Sequence, residues 1–204
     1  MVTCFFGGVG SGKSTILAKI ALRERKRGAY EHILSNFYID GFEKIDFKDL
    51  GKYHYKNSLI ILDELTIDAD NRDFKNFQES IRDFFIYHRH TGCNIIYATQ
   101  DWSSVDKKIR VLTERLYYVR SISVALPLLR KLFPITKATQ ILRTIDIEEY
   151  NHDIIYGYRF ANLFERIFGR VSFLVFRPRY YKYFDSFSDP FVNRPSPMYI
   201  KWNE

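Results

Sequence analysis

Gly7-Gly8-Val9-Gly10-Ser11-Gly12-Lys13-Ser14 is a run of small residues closed by a cation and a hydroxyl. It satisfies the spacing G-x-x-x-x-G-K-[ST] in full. Each residue type has a chemical reason to be there. Glycines let a tight turn aim several backbone N–H groups at one anion. The Lys13 ammonium can reach the β- and γ-phosphates of a nucleotide, and the Ser14 hydroxyl can ligate Mg²⁺. Gly7, Gly8, Val9, Gly10, Ser11, Gly12, Lys13, Ser14 and Thr15 therefore form a candidate nucleotide-binding loop, with ATP and Mg²⁺ as the expected cofactors.

Leu59-Ile60-Ile61-Leu62-Asp63-Glu64 supplies what such a loop still needs. Four apolar residues suit a strand buried on both faces, and two carboxylates emerge at its end. Asp63 is the expected Mg²⁺ partner of Ser14. Glu64 is placed to polarise an attacking water as general base. An acid there suits an enzyme that hydrolyses ATP, whereas a kinase of small metabolites must keep water from the γ-phosphate. A third stretch, HRHTGCNIIYATQ, runs from His88 to Gln100. Gln100, at the tip of an apolar run, is a candidate γ-phosphate sensor. Arg89 is a candidate finger that reaches a neighbouring subunit's ATP in a ring.

The elements that must position these groups alternate. Val2–Phe6 reads as a strand. Gly12 to Gly28 reads as a helix with Ile16, Leu17 and Ile20 on one face and Gly28 as its stop. A short strand follows at His32–Asn36, and a buried one at Ser58–Glu64. A long helix is expected from about Asp73 to His90, with Phe74, Phe77, Ile81, Phe84, Phe85 and His88 at helical spacing. Cys93–Gln100 reads as another buried strand. The alternation predicts an α/β fold, a mostly parallel, doubly wound sheet flanked by helices. After Arg115 the pattern turns to strands, either extending the same sheet or forming a β-rich subdomain. We therefore expect one P-loop domain over 1–186, with a core at 1–114 and a β-rich extension at 115–186. An extended tail at 187–204 carries three of the six prolines.

Composition adds bounds. A chain of 204 residues suits one domain with a substantial core. The net charge of +7 is partly clustered, at Arg23–Gly28, Lys107–Arg110 and Arg177–Lys182, and favours anionic partners. Cys4 and Cys93 lie in apolar runs and read as buried thiols in a reducing compartment. His88 and His90 have no further ligands nearby in sequence for zinc. No leader peptide and no transmembrane segment is expected. Ser121–Ile135 is apolar with a basic centre, a segment that packs on its own domain, a partner or a membrane surface.

In order, the P-loop, LIILDE and YHRHTGCNIIYATQDWSSVDKKIR resemble the N-terminal ATPase domain of the zonula occludens toxin family, which includes assembly ATPases of filamentous phages. RPRYYKYFDSF, from Arg177 to Phe187, is similar to the segment that often closes that domain. The resemblance covers roughly Val2 to Ser186. More distantly, the order is similar to the FtsK/HerA superfamily of DNA pumps and to viral packaging ATPases. It implies a RecA-like fold, a homo-oligomer in ring form, and ATP-driven movement of viral DNA. It implies Lys13, Ser14, Asp63, Glu64 and Gln100 as the nucleotide site, with Arg89 or Arg110 as the trans arginine. It implies other assembly proteins as partners, and work in the host cytoplasm at the inner face of the membrane. Many members continue into a transmembrane helix, and this chain stops before one. It is then expected to dock on a separate membrane protein or to act as a soluble motor.

The leading expectation is an ATP-hydrolysing motor that drives viral DNA export or packaging during virion assembly. Two other readings stay open. One is a nucleotide-gated scaffold that docks at the membrane. The other is a P-loop kinase of small molecules, against which Glu64 stands.

Overall fold

The computed structural model describes residues 1–65, 74–126, 131–147, 154–160 and 172–184. In chain order the elements are β1 (Val2–Phe6), α1 (Lys13–Arg27), β2 (His32–Ser35), β3 (Glu43–Lys44), β4 (Ser58–Leu62), α2 (Phe74–Tyr87) and β5 (Asn94–Thr99). They continue with α3 (Lys107–Leu112), β6 (Arg115–Leu126), β7 (Lys131–Ile147), β8 (Ile154–Phe160) and β9 (Ser172–Phe176). Single 3-10 turns lie at Phe47–Asp49, Arg177–Arg179 and Tyr181–Tyr183.

One sheet runs in the order β3-β2-β4-β5-β1-β6-β7-β8, with β9 paired to β7. From β3 to β6 every neighbouring pair is parallel. The pairs made by β7 with β6, β8 and β9 are antiparallel. The fold is thus the expected α/β sheet, mostly parallel in its core, with a β-rich extension. Of the two arrangements open for that extension, continuation of the same sheet holds, because β6 pairs directly with β1 from Thr3↔Arg115 to Phe6↔Tyr118.

Helices cover both faces of the core. On one face α1 buries Ile16, Leu17, Ile20 and Ala21 against Phe5, Leu59, Ile61, Ile96 and Ala98. On the other, Ile81, Phe84 and Phe85 of α2 meet Val2, Cys4, Ile60, Leu62, Ile95 and Tyr97. β4 is buried along its whole length, as a parallel strand covered on both sides must be. Each fully buried Leu or Ile contributes roughly 1.5–3 kcal/mol relative to exposure. α1 ends where Gly28 turns left-handed at φ 61°, its N–H returning to the Arg25 carbonyl.

Some boundaries differ from the sequence reading. α2 ends at Tyr87, before His90. His88 turns inward, its Nδ1 paired with the Phe85 carbonyl at 2.7 Å, and it is buried. The described residues of Ser121–Ile135 lie on β6 and β7, which pair antiparallel from Ser121↔Thr136 to Leu126↔Lys131. Both cysteines are buried. The tail at 187–204, and the expected helix start at Asp73, lie outside the described residues. Among those residues no helix is long and apolar enough to cross a membrane.

Candidate functional site

β1 and β4 point their C-terminal ends to the same edge of the sheet, separated by β5. The loop after β1 and the acids after β4 therefore face one another across the tip of β5. This is the geometry needed to bring Gly7–Thr15 to Asp63 and Glu64, which lie about fifty positions away in sequence.

The loop is anchored at its entry by Gly7, whose N–H donates to the Thr99 carbonyl of β5 at 3.3 Å. Inside it the Ser11 N–H donates to the Gly8 carbonyl at 3.2 Å. The first intrahelical bond of α1 runs from Ile16 N–H to the Gly12 carbonyl. The N–H groups of Lys13, Ser14 and Thr15 precede that bond, so they belong to the helix's positive end. Gly12, the N-cap, has φ 94° and brings no capping side chain. Lys13 is buried. Its Nζ donates to the carbonyls of Gly7 at 2.8 Å and Gly8 at 3.2 Å. Burial pushes its ammonium down from the ordinary lysine range, while Glu64 and Asp63 pull it back up. The lysine thus sits at the mouth of the loop with both acids within electrostatic reach.

The Ser14 hydroxyl donates to Asp63 Oδ2 at 2.5 Å. Burial pushes the Asp63 carboxyl up, against the pull of the Ser14 hydrogen bond and the Lys13 ammonium. Asp63 is fixed by a residue the sequence reading passed over. Asn36, just past β2, donates from Nδ2 to the Asp63 carbonyl at 2.8 Å. It also accepts from the Asp63 N–H at 2.7 Å. Glu64 has a left-handed backbone, φ 55°, uncommon for a residue with a side chain. Its N–H donates to Asp63 Oδ1 at 3.1 Å. Such backbones concentrate at functional sites.

The residues present fit Mg²⁺–ATP. A hydroxyl and a carboxylate, the oxygen donors Mg²⁺ takes, already touch. The Ser11 hydroxyl is buried with no hydrogen-bond partner among the described residues. Around Gly8 and Gly10 the space that a Cβ would enter is open, as a phosphate cradle requires.

Gln100 follows β5 directly and is exposed at the same edge, next to the anchored end of β1. The two arginines part company. Arg89 precedes β5 and lies at the opposite edge of the sheet, where it pairs with Glu114 at 2.8 Å. It does not reach its own chain's loop. Arg110 lies in the last turn of α3, with its Nε buried and without a hydrogen-bond partner among the described residues. Its charge is among those that hold the Asp101 carboxyl low, after the Ser103 hydrogen bonds. Two more residues at the loop escaped the sequence reading. Thr136 of β7 and Arg177 beyond β9 both donate to the Ser11 carbonyl, at 3.1 and 2.7 Å. Arg177 was visible as part of a basic cluster and of the segment similar to the one that closes the family's domain, but not as a residue of the loop, and no local pattern marks Thr136.

Over 89 residues the chain is 32% identical to the Gene 1 protein of Enterobacteria phage fd, a match covering 42% of this chain and 26% of that protein. The chain thus spans about a quarter of that relative's length. Among solved structures, the N-terminal domain of zonular occludens toxin from Neisseria meningitidis matches at a TM-score of 0.47 and 16% identity. That match covers 90% of this chain and 98% of that one. The genome packaging NTPase B204 of Sulfolobus turreted icosahedral virus 2, solved with ATP-gammaS, matches at 0.44 and 13%, over 78% and 98%. The family model for zonular occludens toxin (Zot) matches residues 18–153. That span begins inside α1, so the phosphate loop stands on its own motif and geometry. It takes in β4, its two acids and β5, most of the chain, and on it the chain belongs to the zonular occludens toxin (Zot) family.

Proposed function

We propose that the chain is an ATP-hydrolysing motor that moves viral DNA during virion assembly. One observation carries the reading. The P-loop hydroxyl of Ser14 meets Asp63 at 2.5 Å, with Lys13 beside the pair and Glu64 next along the chain. Bound Mg²⁺–ATP supplies the phosphoryl group and the divalent charge that offsets it. The protein's own part is positioning. The loop N–H groups and Lys13 Nζ hold anionic oxygens. Ser14 and Asp63 offer the oxygen donors. The Glu64 carboxylate takes a proton from the attacking water, and Gln100 orients what lies at the tip of β5.

The viral setting is supported by family membership and by the phage relative. DNA as the cargo is supported by charge. The net charge is +7, and basic residues cluster at Arg23–Gly28, Lys107–Arg110 and Arg177–Lys182. Cations crowded in this way suit a phosphate backbone gripped without sequence readout. A ring would leave Arg89 to serve a neighbour's ATP, for which it would have to leave its ion pair with Glu114.

The test is phosphate release from MgATP at rising protein concentrations, with and without DNA. The proposal expects specific activity to rise with concentration and DNA to increase it. Slow release that transfer to a nucleoside or nucleotide acceptor accelerates would sink it in favour of a kinase. Nucleotide binding with no release, and vesicle binding unaffected by it, would favour the scaffold.

A further inference from the structure

The β-rich extension clamps the phosphate loop at Ser11, through a contact built from three residues far apart in sequence. Thr136 of β7 is fully buried. Its hydroxyl donates to the Ser11 carbonyl at 3.1 Å and accepts from Arg177 Nε at 2.7 Å. A second guanidinium N–H of Arg177 donates to the same Ser11 carbonyl at 2.7 Å. The two donors come from adjacent strands, because Thr136 faces Val175 in the β7–β9 register and Arg177 follows β9 at once. Gly12 lets them close in. A Cβ there would be driven onto the Thr136 hydroxyl and to 2.9 Å from Arg177 Nε.

The far side of the same segment is also held. The Asp40 N–H donates to the Tyr183 carbonyl at 2.8 Å. Phe184 is buried, edge-on to Phe37 at 6.4 Å. Tyr180 packs against the cluster that contains Ile16, Leu17 and Ile20 of α1. Residues 177–184 thus form a strap from β9 over the α1 cluster to the loop after β2. Its first side chain grips the phosphate loop.

We propose that Arg177 is a positioning residue that ties the β7–β9 arm to the phosphate loop, so that nucleotide binding and docking of the arm strengthen each other. In a trans peptide the C=O and the following N–H point in opposite directions. Holding the Ser11 carbonyl outward therefore fixes the Gly12 N–H inward, among the groups that cradle the α- and β-phosphates. Arg177 spends its charge on a carbonyl and a hydroxyl, with no carboxylate paired to it among the described residues. A planar guanidinium meets both acceptors through N–H groups fixed in one rigid fork, whereas an ammonium is a compact point charge on a flexible stem and is not pre-organised for that pair. Coupling of this kind is reciprocal, so a bound nucleotide must hold the arm as firmly as the arm holds the loop. The arm is then the part of the molecule that feels whether the loop is filled.

This inference rests on the nucleotide-binding reading of the loop, and the test separates the two. Affinity for MgADP and MgATP, and hydrogen exchange over residues 172–184 with and without MgADP, are measured on wild type, Arg177→Ala, Arg177→Lys and Thr136→Val. Wild type is expected to gain protection over 172–184 when MgADP binds. Arg177→Ala is expected to lose about 10-fold in affinity for both nucleotides, a typical coupling, and to lose the gain in protection. Arg177→Lys should not restore either, and Thr136→Val should weaken both with the arginine still present, which covers the case where Arg177→Ala folds poorly. Variants that bind MgADP like wild type with the same protection would overturn this inference alone. So would a loss confined to MgATP, which would place Arg177 on the γ-phosphate. Wild type that binds neither nucleotide would overturn the functional reading, and this inference with it.

Discussion

At the scale of single residues, Asp63 shows what burial does to an acid of the candidate site. Its carboxyl is pushed up by desolvation, and the Ser14 hydrogen bond only partly offsets this. The folded chain therefore holds a proton at Asp63 more tightly than the unfolded chain does. Stability is lost as pH rises from the ordinary carboxylate value, about 4, through the raised one. Asp63→Asn removes that penalty while keeping the shape. We expect its melting temperature at neutral pH to match or exceed that of wild type, with the difference shrinking on acidification. Its affinity for Mg²⁺–ATP should fall at every pH. In wild type, binding should weaken as pH drops through the raised value, because the proton competes with the metal. A clear loss of thermal stability in Asp63→Asn at neutral pH would contradict this account. Asn36 explains why the carboxylate stays in place despite its cost, since it holds both the N–H and the C=O of Asp63.

At the scale of elements, the parts that were legible in sequence are those whose cause is local. The phosphate loop, the apolar run before Asp63 and the stop at Gly28 each depend on neighbours within a few positions. What escaped depends on pairing across the sheet. Asn36 looks like the ordinary last residue of a short strand until β2 is set beside β4. Thr136 and Arg177 matter only because β7 and β9 bring them to residue 11. The expected helix end at His90 overshot because the pattern of apolar residues continues through His88. That side chain is buried for another reason, as it folds back on the Phe85 carbonyl. The loop's glycines are not equivalent. Gly12 has φ 94° and lies under Thr136, whereas Gly8 has open space. Gly12→Ala should cost at least ~1–2 kcal/mol for the left-handed backbone alone, plus the displaced clamp, and should abolish nucleotide binding. Gly8→Ala should leave thermal stability within about 0.5 kcal/mol of wild type, as an unstrained surface change does. Equal melting curves for the two variants would show that the clamp does not constrain the loop.

At the scale of the whole molecule, one sheet serves two purposes. Its parallel half puts the loop, the acids and Gln100 at one edge, and its antiparallel half extends the same sheet into an arm. That continuity was an open alternative in the sequence, because composition alone does not tell an added strand from an added domain. The placement of Arg89 was not legible either. Its motif lies next to that of Gln100 in the chain, but β5 carries the two to opposite edges of the sheet. The central claim is that the acid after β4 makes this a site that cleaves ATP rather than one that only holds it. Glu64→Gln tests it most directly, by ATP affinity and steady-state phosphate release measured on the same preparations. The account predicts unchanged affinity with turnover reduced by about 10²–10⁴-fold, the span of general-base catalysis. Phosphate release by Glu64→Gln at the wild-type rate would contradict it, and so would wild type that binds MgATP but releases no phosphate under any condition of concentration or DNA.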